Sequence, residues 1–272
     1  MPNQAKIRVA LAGFGAIGGA VARRLDQGIA GLQLSAVSAR RIERAEQQMA
    51  ALAHPVPVVS LAELAALADV VVECAPAAVF REVAEPAIAA GRIFMPVSVG
   101  QLLEHPDLIE RAEQTGARVI VPTGALLGLD AVRAAAEGTI HSVTMVTRKP
   151  PRGLAGAPYL EQRGISLEGL SAPLKVFEGS AREGARGFPA NVNVAAALSL
   201  AGIGPDRTQL EIWADPAIER NQHRIVVEAD AARFEMAIEN VPTEENPRTG
   251  KITALSVIAA LRALTAPLKV GS

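Results

Sequence analysis

The sequence predicts an α/β protein in which a doubly wound, Rossmann-like parallel-sheet domain precedes a second α+β domain with a largely antiparallel sheet. Three observations carry this expectation. Apolar strand patterns alternate with helical ones over the first 125 residues, and the first strand runs straight into a glycine-rich turn. After Leu126 four strand patterns follow, with little helix between the last three.

Residues 6–12 (KIRVALA) form a β-branched and aliphatic run without polar alternation in its second half, as expected of a strand buried on both faces. In the segment AIGGAVARRLDQG, Ile17, Val21, Ala22 and Leu25 recur at helical spacing, and Gly28 stops the element. A strand at 32–38 and a helix at 41–52 follow. The cycle repeats with VPVV at 56–59, a helix near 61–67 and the apolar strand DVVVECA at 69–75. A helix at 77–90, a strand at 92–97, a helix at 105–115 and a strand at 117–122 complete the series. Beyond it, strands are expected at 139–149, 208–214, 222–230 and 232–240. Helices at 126–137 and 190–202 are candidates to cover one face of their sheet. Residues 150–188, rich in Pro, Gly and Arg, read as a long, partly irregular connection. The divisions expected are a dinucleotide-binding domain at 1–125, a substrate and catalytic domain at 126–245, and a C-terminal segment at 246–272 whose apolar helix (252–265) packs back on either domain.

Bulk properties narrow the function classes. Half of the 272 residues are apolar, enough to build a sizeable core. The 27 basic and 28 acidic residues leave a net charge of −1, which gives no electrostatic case for nucleic acid or an anionic membrane. A single cysteine, Cys74, excludes an internal disulfide framework and points to a reducing, cytoplasmic compartment. The N-terminal apolar run is short and broken by glycines, unlike a signal peptide, and no uninterrupted run of about 20 apolar residues suggests a membrane span. His, Cys and carboxylate spacings do not match a metal site.

Gly13-Phe14-Gly15-Ala16-Ile17-Gly18 matches G-x-G-x-x-G in the context the motif requires, after a buried strand and at the start of a helix. Gly13 suits the tight turn, Gly15 lets a pyrophosphate approach the backbone, and Gly18 allows close helix–strand packing. Ala16 and Ile17 contribute N–H groups of the helix start. At the end of the second strand, where NAD-selective domains carry an acidic residue, the chain reads Val37-Ser38-Ala39-Arg40-Arg41. Ser38 can bond a ribose 2′-hydroxyl or a 2′-phosphate, and Arg40 can pair with the phosphate. Acceptance of NADP alongside NAD is therefore expected, unless the arginines are simply solvated. Cys74-Ala75-Pro76, Ser98-Val99-Gly100 and Thr123-Gly124-Ala125 follow strands at the sheet edge where ligands bind in such folds, and are expected to border the nicotinamide. No base stands near Cys74 in the sequence, so a small buried thiol fits it better than a nucleophile. By alternation His223 shares a face with Ile225 and Val227, as a satisfied core histidine or as a base at a dry cleft.

Taken together, GFGAIGGAVA, ECAPAAV, SVGQL, VPTGALLGLDAV, TRKPP, FPANVNVAAALSLAG, RNQHRI and ENVPTEENPRTGKITALSVIAALR resemble the L-aspartate dehydrogenase family, in order and over essentially the whole chain. The resemblance implies oxidation of L-aspartate by NAD or NADP to iminoaspartate, which hydrolyses to oxaloacetate and ammonia or feeds NAD biosynthesis. It also implies that Ala125 and Asn191 contact the cofactor and that His223 is catalytic. Lys149 and Arg220 are candidates to hold the substrate carboxylates, with solvated roles equally open. Pairing of the second-domain sheets in a homodimer is expected. Two alternatives remain at this level: another two-domain NAD(P) reductase of the dihydrodipicolinate or homoserine type, and a dinucleotide-binding regulator without turnover.

Overall fold

The fold is taken from a computed structural model that describes residues 5–189, 192–244 and 249–271. The chain divides into two compact units, one of Met1–Pro122 with Ala254–Lys269 and one of Thr123–Thr253 with Val270–Ser272.

The first unit begins with β1 (Ile7–Ala12), α1 (Ala16–Asp26), β2 (Leu32–Ser38) and α2 (Ile42–Ala50). It continues through α3 (Leu64–Leu67), β3 (Val70–Glu73), α4 (Phe80–Ala89) and β4 (Ile93–Pro96), and then α5 (Gly100–Glu104), α6 (Asp107–Thr115) and β5 (Arg118–Val119). The strands form a parallel sheet in the order β2-β1-β3-β4-β5. Every residue of β3 is buried, the consequence of helices on both sheet faces. Val9, Leu11 and Val72 of the strands meet Val21 and Leu25 of α1 in one apolar cluster. Parallel strands all end on one edge, so the turns after β1, β3 and β4 come together there.

The second unit comprises α7 (Leu129–Ala136), β6 (Ile140–Lys149), α8 (Pro158–Arg163), β7 (Leu174–Ser180), α9 (Ala181–Gly187), α10 (Asn193–Ala201), β8 (Thr208–Ala214), β9 (Asn221–Ala229) and β10 (Arg233–Asn240). Its sheet order is β10-β9-β6-β8-β7, antiparallel at every pair except β6 with β8. A parallel pair needs a long crossover, and the chain between β6 and β8 supplies it. Helices cover one face: a Cβ on Gly184 of α9 would lie 2.6 Å from Leu210 of β8, and one on Gly202, just past α10, 3.1 Å from Val132 of α7. The other face carries Arg148, Glu211, Trp213 and Arg224, none of them buried. The final helix, α11 (Lys251–Ala263), contributes Val257 and Leu261 to the apolar cluster of the first unit.

Three sequence expectations are refined. Among the described residues VPVV at 56–59 makes one isolated bridge, Val37 to Val58, because Pro57 has no N–H and Ser60 already caps the next turn with Glu63. Residues 100–104 form a short helix of their own before the helix expected at 105–115, which starts at Asp107 after Pro106. The stretch 150–188 is a partly irregular connection that also contains regular elements. It holds α8, β7 and α9, and α9 is opened by a capping box in which the Ser180 hydroxyl accepts from the Glu183 N–H and Glu183 accepts from the Ser180 N–H.

Candidate functional site

In the first unit the three motif glycines occupy distinct environments. Gly13 sits at φ +107°, and a Cβ there would lie 2.5 Å from the Cys74 carbonyl oxygen, so side chains are excluded by both conformation and space. A Cβ on Gly18 would lie 2.0 Å from the Gly13 carbonyl oxygen, the measure of how closely α1 and the turn approach. Gly15 differs: it is exposed, and a Cβ built on it meets nothing within 4 Å. Gly15 is also the N-cap of α1 and offers no side-chain cap, and no acidic residue lies in the first turn of α1. The N–H groups of Ala16 and Ile17 thus belong to a helix start open to an anion. Packed glycines on two sides and an open one between them fit a pyrophosphate.

At the end of β2, Ser38 is buried and its carbonyl accepts from the Gly13 N–H, while Arg40 and Arg41 are exposed. The first carboxylate downstream is Glu43, in the first turn of α2.

Glu73, the last residue of β3, is fully buried and was passed over in the sequence. Its Oε1 accepts from the Ala75 N–H at 3.0 Å and the Ser98 hydroxyl at 3.0 Å, and its Oε2 from the Ser98 N–H at 2.9 Å and the Val97 N–H at 3.2 Å. Burial pushes this carboxyl up, and the four donors oppose the shift. The available signal was one carboxylate ending an otherwise apolar buried strand. Neighbouring Cys74 has its thiol pushed up by burial, with the Glu73 charge adding to it, and its Sγ–H points to the Gly13 carbonyl at 3.2 Å. A protonated thiol so placed is a packing group, not a nucleophile. Pro76 is exposed beside it.

In the second unit His223 lies on the helix-covered face of β9, only 3% exposed, opposite Thr147 of β6. Its Nδ1 lies 3.1 Å from the Thr147 hydroxyl. Burial, reinforced by the charge of Lys149, lowers the imidazole to about 3, so the ring is neutral near pH 7. Lys149 itself is 5% exposed, two residues beyond Thr147 on the same face. At the same end of the sheet Asn240 is buried, and its side-chain amide donates to the Ala125 carbonyl at 2.9 Å. Among the described residues the Asn240 Oδ1 has no hydrogen-bond partner. Arg220 is exposed in the bend before β9, outside this buried group. Asn191 lies outside the described residues. Thr147 and Asn240 were not singled out in the sequence, because only the strand register brings them to His223 and Ala125.

A family model described as aspartate dehydrogenase, C-terminal, matches residues 130–264, and one described as homoserine dehydrogenase, NAD binding domain, matches residues 13–122. L-aspartate dehydrogenase 3 of Bordetella bronchiseptica is 56% identical over 273 residues, covering 100% of both chains. The L-aspartate dehydrogenase of Bradyrhizobium diazoefficiens is 57% identical, over 98% of this chain and 95% of that one. Among solved structures, aspartate dehydrogenase from Thermotoga maritima has a TM-score of 0.72 at 24% identity, over 97% of this chain and 99% of that one, a likeness of fold. Identity of this extent along the whole length places the chain in the L-aspartate dehydrogenase family.

Proposed function

We propose that this protein is an NAD(P)-dependent L-aspartate dehydrogenase, oxidising L-aspartate to iminoaspartate, which yields oxaloacetate and ammonia or enters NAD biosynthesis. The observation that carries this reading is the 56–57% identity with L-aspartate dehydrogenases over essentially the whole chain. The glycine turn and open α1 start hold the pyrophosphate, Ser38 and Arg40 meet the adenosine ribose, and Ala75, Pro76, Ser98, Ala125 and Asn191 serve the nicotinamide half. A bound oxidised nicotinamide supplies the acceptor for the hydride that leaves the substrate Cα.

The chain's own chemistry then centres on His223. An ammonium substrate must lose a proton before its Cα–H bond can be broken productively, and the neutral imidazole is the group that takes it. The same nitrogen serves again for the water that attacks the imine. Lys149 provides a buried cation for one substrate carboxylate. A dicarboxylate bound there offsets the Lys149 charge that disfavours imidazolium, so His223 becomes a stronger base when substrate is present.

Nicotinamide absorbance at 340 nm, followed with L-aspartate, L-glutamate and both dinucleotides, tests the reading. Turnover is expected with L-aspartate and either dinucleotide, and little with L-glutamate, whose extra methylene misplaces the second carboxylate. Arg40→Ala is expected to raise the KM for NADP roughly tenfold or more, by loss of one charge-assisted contact of about 1.5–3 kcal/mol, and to leave NAD nearly unchanged. Absence of aspartate turnover, or preference for glutamate, would overturn the reading. Equal effects of Arg40→Ala on both dinucleotides would remove the 2′-phosphate role.

The proposal extends to a cytoplasmic homodimer formed through the open face of the second-unit sheet. That face holds a recess of about 570 Å³, in which Val146, Trp213 and Ala237 lie between charged side chains. Sedimentation is expected to give twice the 28.3 kDa chain mass, and a monomer at micromolar concentration would exclude it.

A further inference from the structure

The strand order of the first sheet gives its carboxyl edge a direction. β2, with Ser38, lies on one side of β1 and its glycine turn, and β3 and β4 lie on the other. A dinucleotide whose pyrophosphate meets the start of α1 and whose adenosine ribose meets the end of β2 therefore carries its nicotinamide half toward the turns after β3 and β4. One side chain ties these two turns together. Through Ala75 N–H, Val97 N–H, Ser98 N–H and the Ser98 hydroxyl, the Glu73 carboxyl joins segment 74–75 to segment 97–98, across 25 residues of sequence.

We infer that Glu73 is a positioning residue for the nicotinamide half of the dinucleotide, fixing the turns after β3 and β4 as one platform. The inference rests on the dinucleotide-binding reading above. Packing alone does not account for a carboxylate here, since Val70, Val71 and Val72 fill the rest of the strand with aliphatic side chains. An aliphatic residue at 73 would bury as well but would leave the Ala75 and Ser98 N–H groups without this acceptor. What the carboxylate adds is a fixed spacing between two turns at the ligand edge. The Ser98 hydroxyl strengthens the link, since it also lies 3.4 Å from the Ala75 carbonyl oxygen. Glu73 acts from behind, and the turns it holds make the contact.

The test is calorimetric titration of wild-type and Glu73→Gln protein with NAD⁺ and with ADP-ribose, which lacks the nicotinamide ring. The glutamine keeps the volume but presents an NH₂ group to N–H donors it cannot accept. Affinity for NAD⁺ is expected to fall roughly 10- to 100-fold, and affinity for ADP-ribose to stay within about twofold. Ser98→Ala removes one donor and is expected to weaken NAD⁺ several-fold with ADP-ribose unchanged. It takes over as the deciding variant if Glu73→Gln does not fold. Equal losses for both ligands, or an unchanged NAD⁺ affinity in the deciding variant, would overturn the assignment. Failure of wild-type protein to bind either ligand would remove the dinucleotide reading, and this assignment with it.

Discussion

Replacement of His223 by Asn is expected to lower kcat for L-aspartate by roughly 10²–10⁴-fold, the usual loss when a positioned acid–base group is removed. Asn keeps polarity and much of the volume, and it can still bond the Thr147 hydroxyl, but it takes up no proton near neutral pH. Dinucleotide affinity, measured by titration, is expected to stay within a few-fold of wild type, because the glycine turn and the β2 end belong to the other unit. His223→Ala should be equally inactive and less stable, since it also leaves a cavity and strands the Thr147 hydroxyl. A folded Asn variant with near wild-type kcat would return His223 to the packing role that alternation alone also allowed.

The titration of His223 adds a pH signature. Its imidazole lies at about 3 in the fold, against an ordinary value near 6.5, with burial the main cause and the Lys149 charge the second. Above pH 6.5 both folded and unfolded states hold the ring neutral, and it contributes no pH dependence. As pH falls below 6.5 the unfolded chain binds a proton that the folded chain refuses, so stability declines until about pH 3. Over that window the loss is on the order of a few kcal/mol, and chemical denaturation of His223→Asn should lack this part of the slope. In kinetics, kcat/KM reports the free enzyme and kcat the substrate complex. The acidic limb of kcat is therefore expected at higher pH than that of kcat/KM, because a bound dicarboxylate offsets Lys149. Coincident limbs would show that substrate charge does not reach His223.

Much of this was legible where local chemistry decides the outcome. The run before Gly13 reads as a buried strand because both its faces are apolar, and the inward direction of His223 follows from period-two alternation in β9. Element β7 was missed because its apolar stretch, LKVF, is short and lies within a Pro-, Gly- and Arg-rich segment. The Ser180–Glu183 capping box just after it was nevertheless readable. Glu73, Thr147 and Asn240 were illegible for a different reason. Each acquires its role from a partner far away in sequence: Ser98 at 25 residues, His223 at 76 and Ala125 at 115. Composition and periodicity carry no information about such pairs. A carboxylate at a strand end is unremarkable until the neighbouring turn is known to face it.

The glycine turn permits a prediction that separates folding from binding within one six-residue motif. Gly15→Ala is expected to leave the melting temperature unchanged or slightly raised. Its φ of −87° suits any residue, nothing lies within 4 Å of the added Cβ, and the unfolded chain loses conformational freedom. Dinucleotide affinity should nonetheless fall roughly 10- to 100-fold, because the methyl group occupies the approach that a phosphate needs to reach the α1 N–H groups, at a cost of about 1.5–3 kcal/mol. Gly18→Ala should do the reverse in order of cause. Its Cβ would lie 2.0 Å from the Gly13 carbonyl oxygen and 3.0 Å from the Cys74 sulfur, so α1 must move off the turn. Overpacking of this kind costs about 1–3 kcal/mol or more, and binding is then lost because the cradle is distorted. Thermal melts and NAD⁺ titrations on both variants check the pair. A Gly15→Ala protein with lowered melting temperature and intact affinity would place the phosphate elsewhere. A Gly18→Ala protein as stable as wild type would contradict the close approach of helix and turn. If both results hold, the open glycine serves the ligand and the packed ones serve the fold, each in the role the motif assigns it.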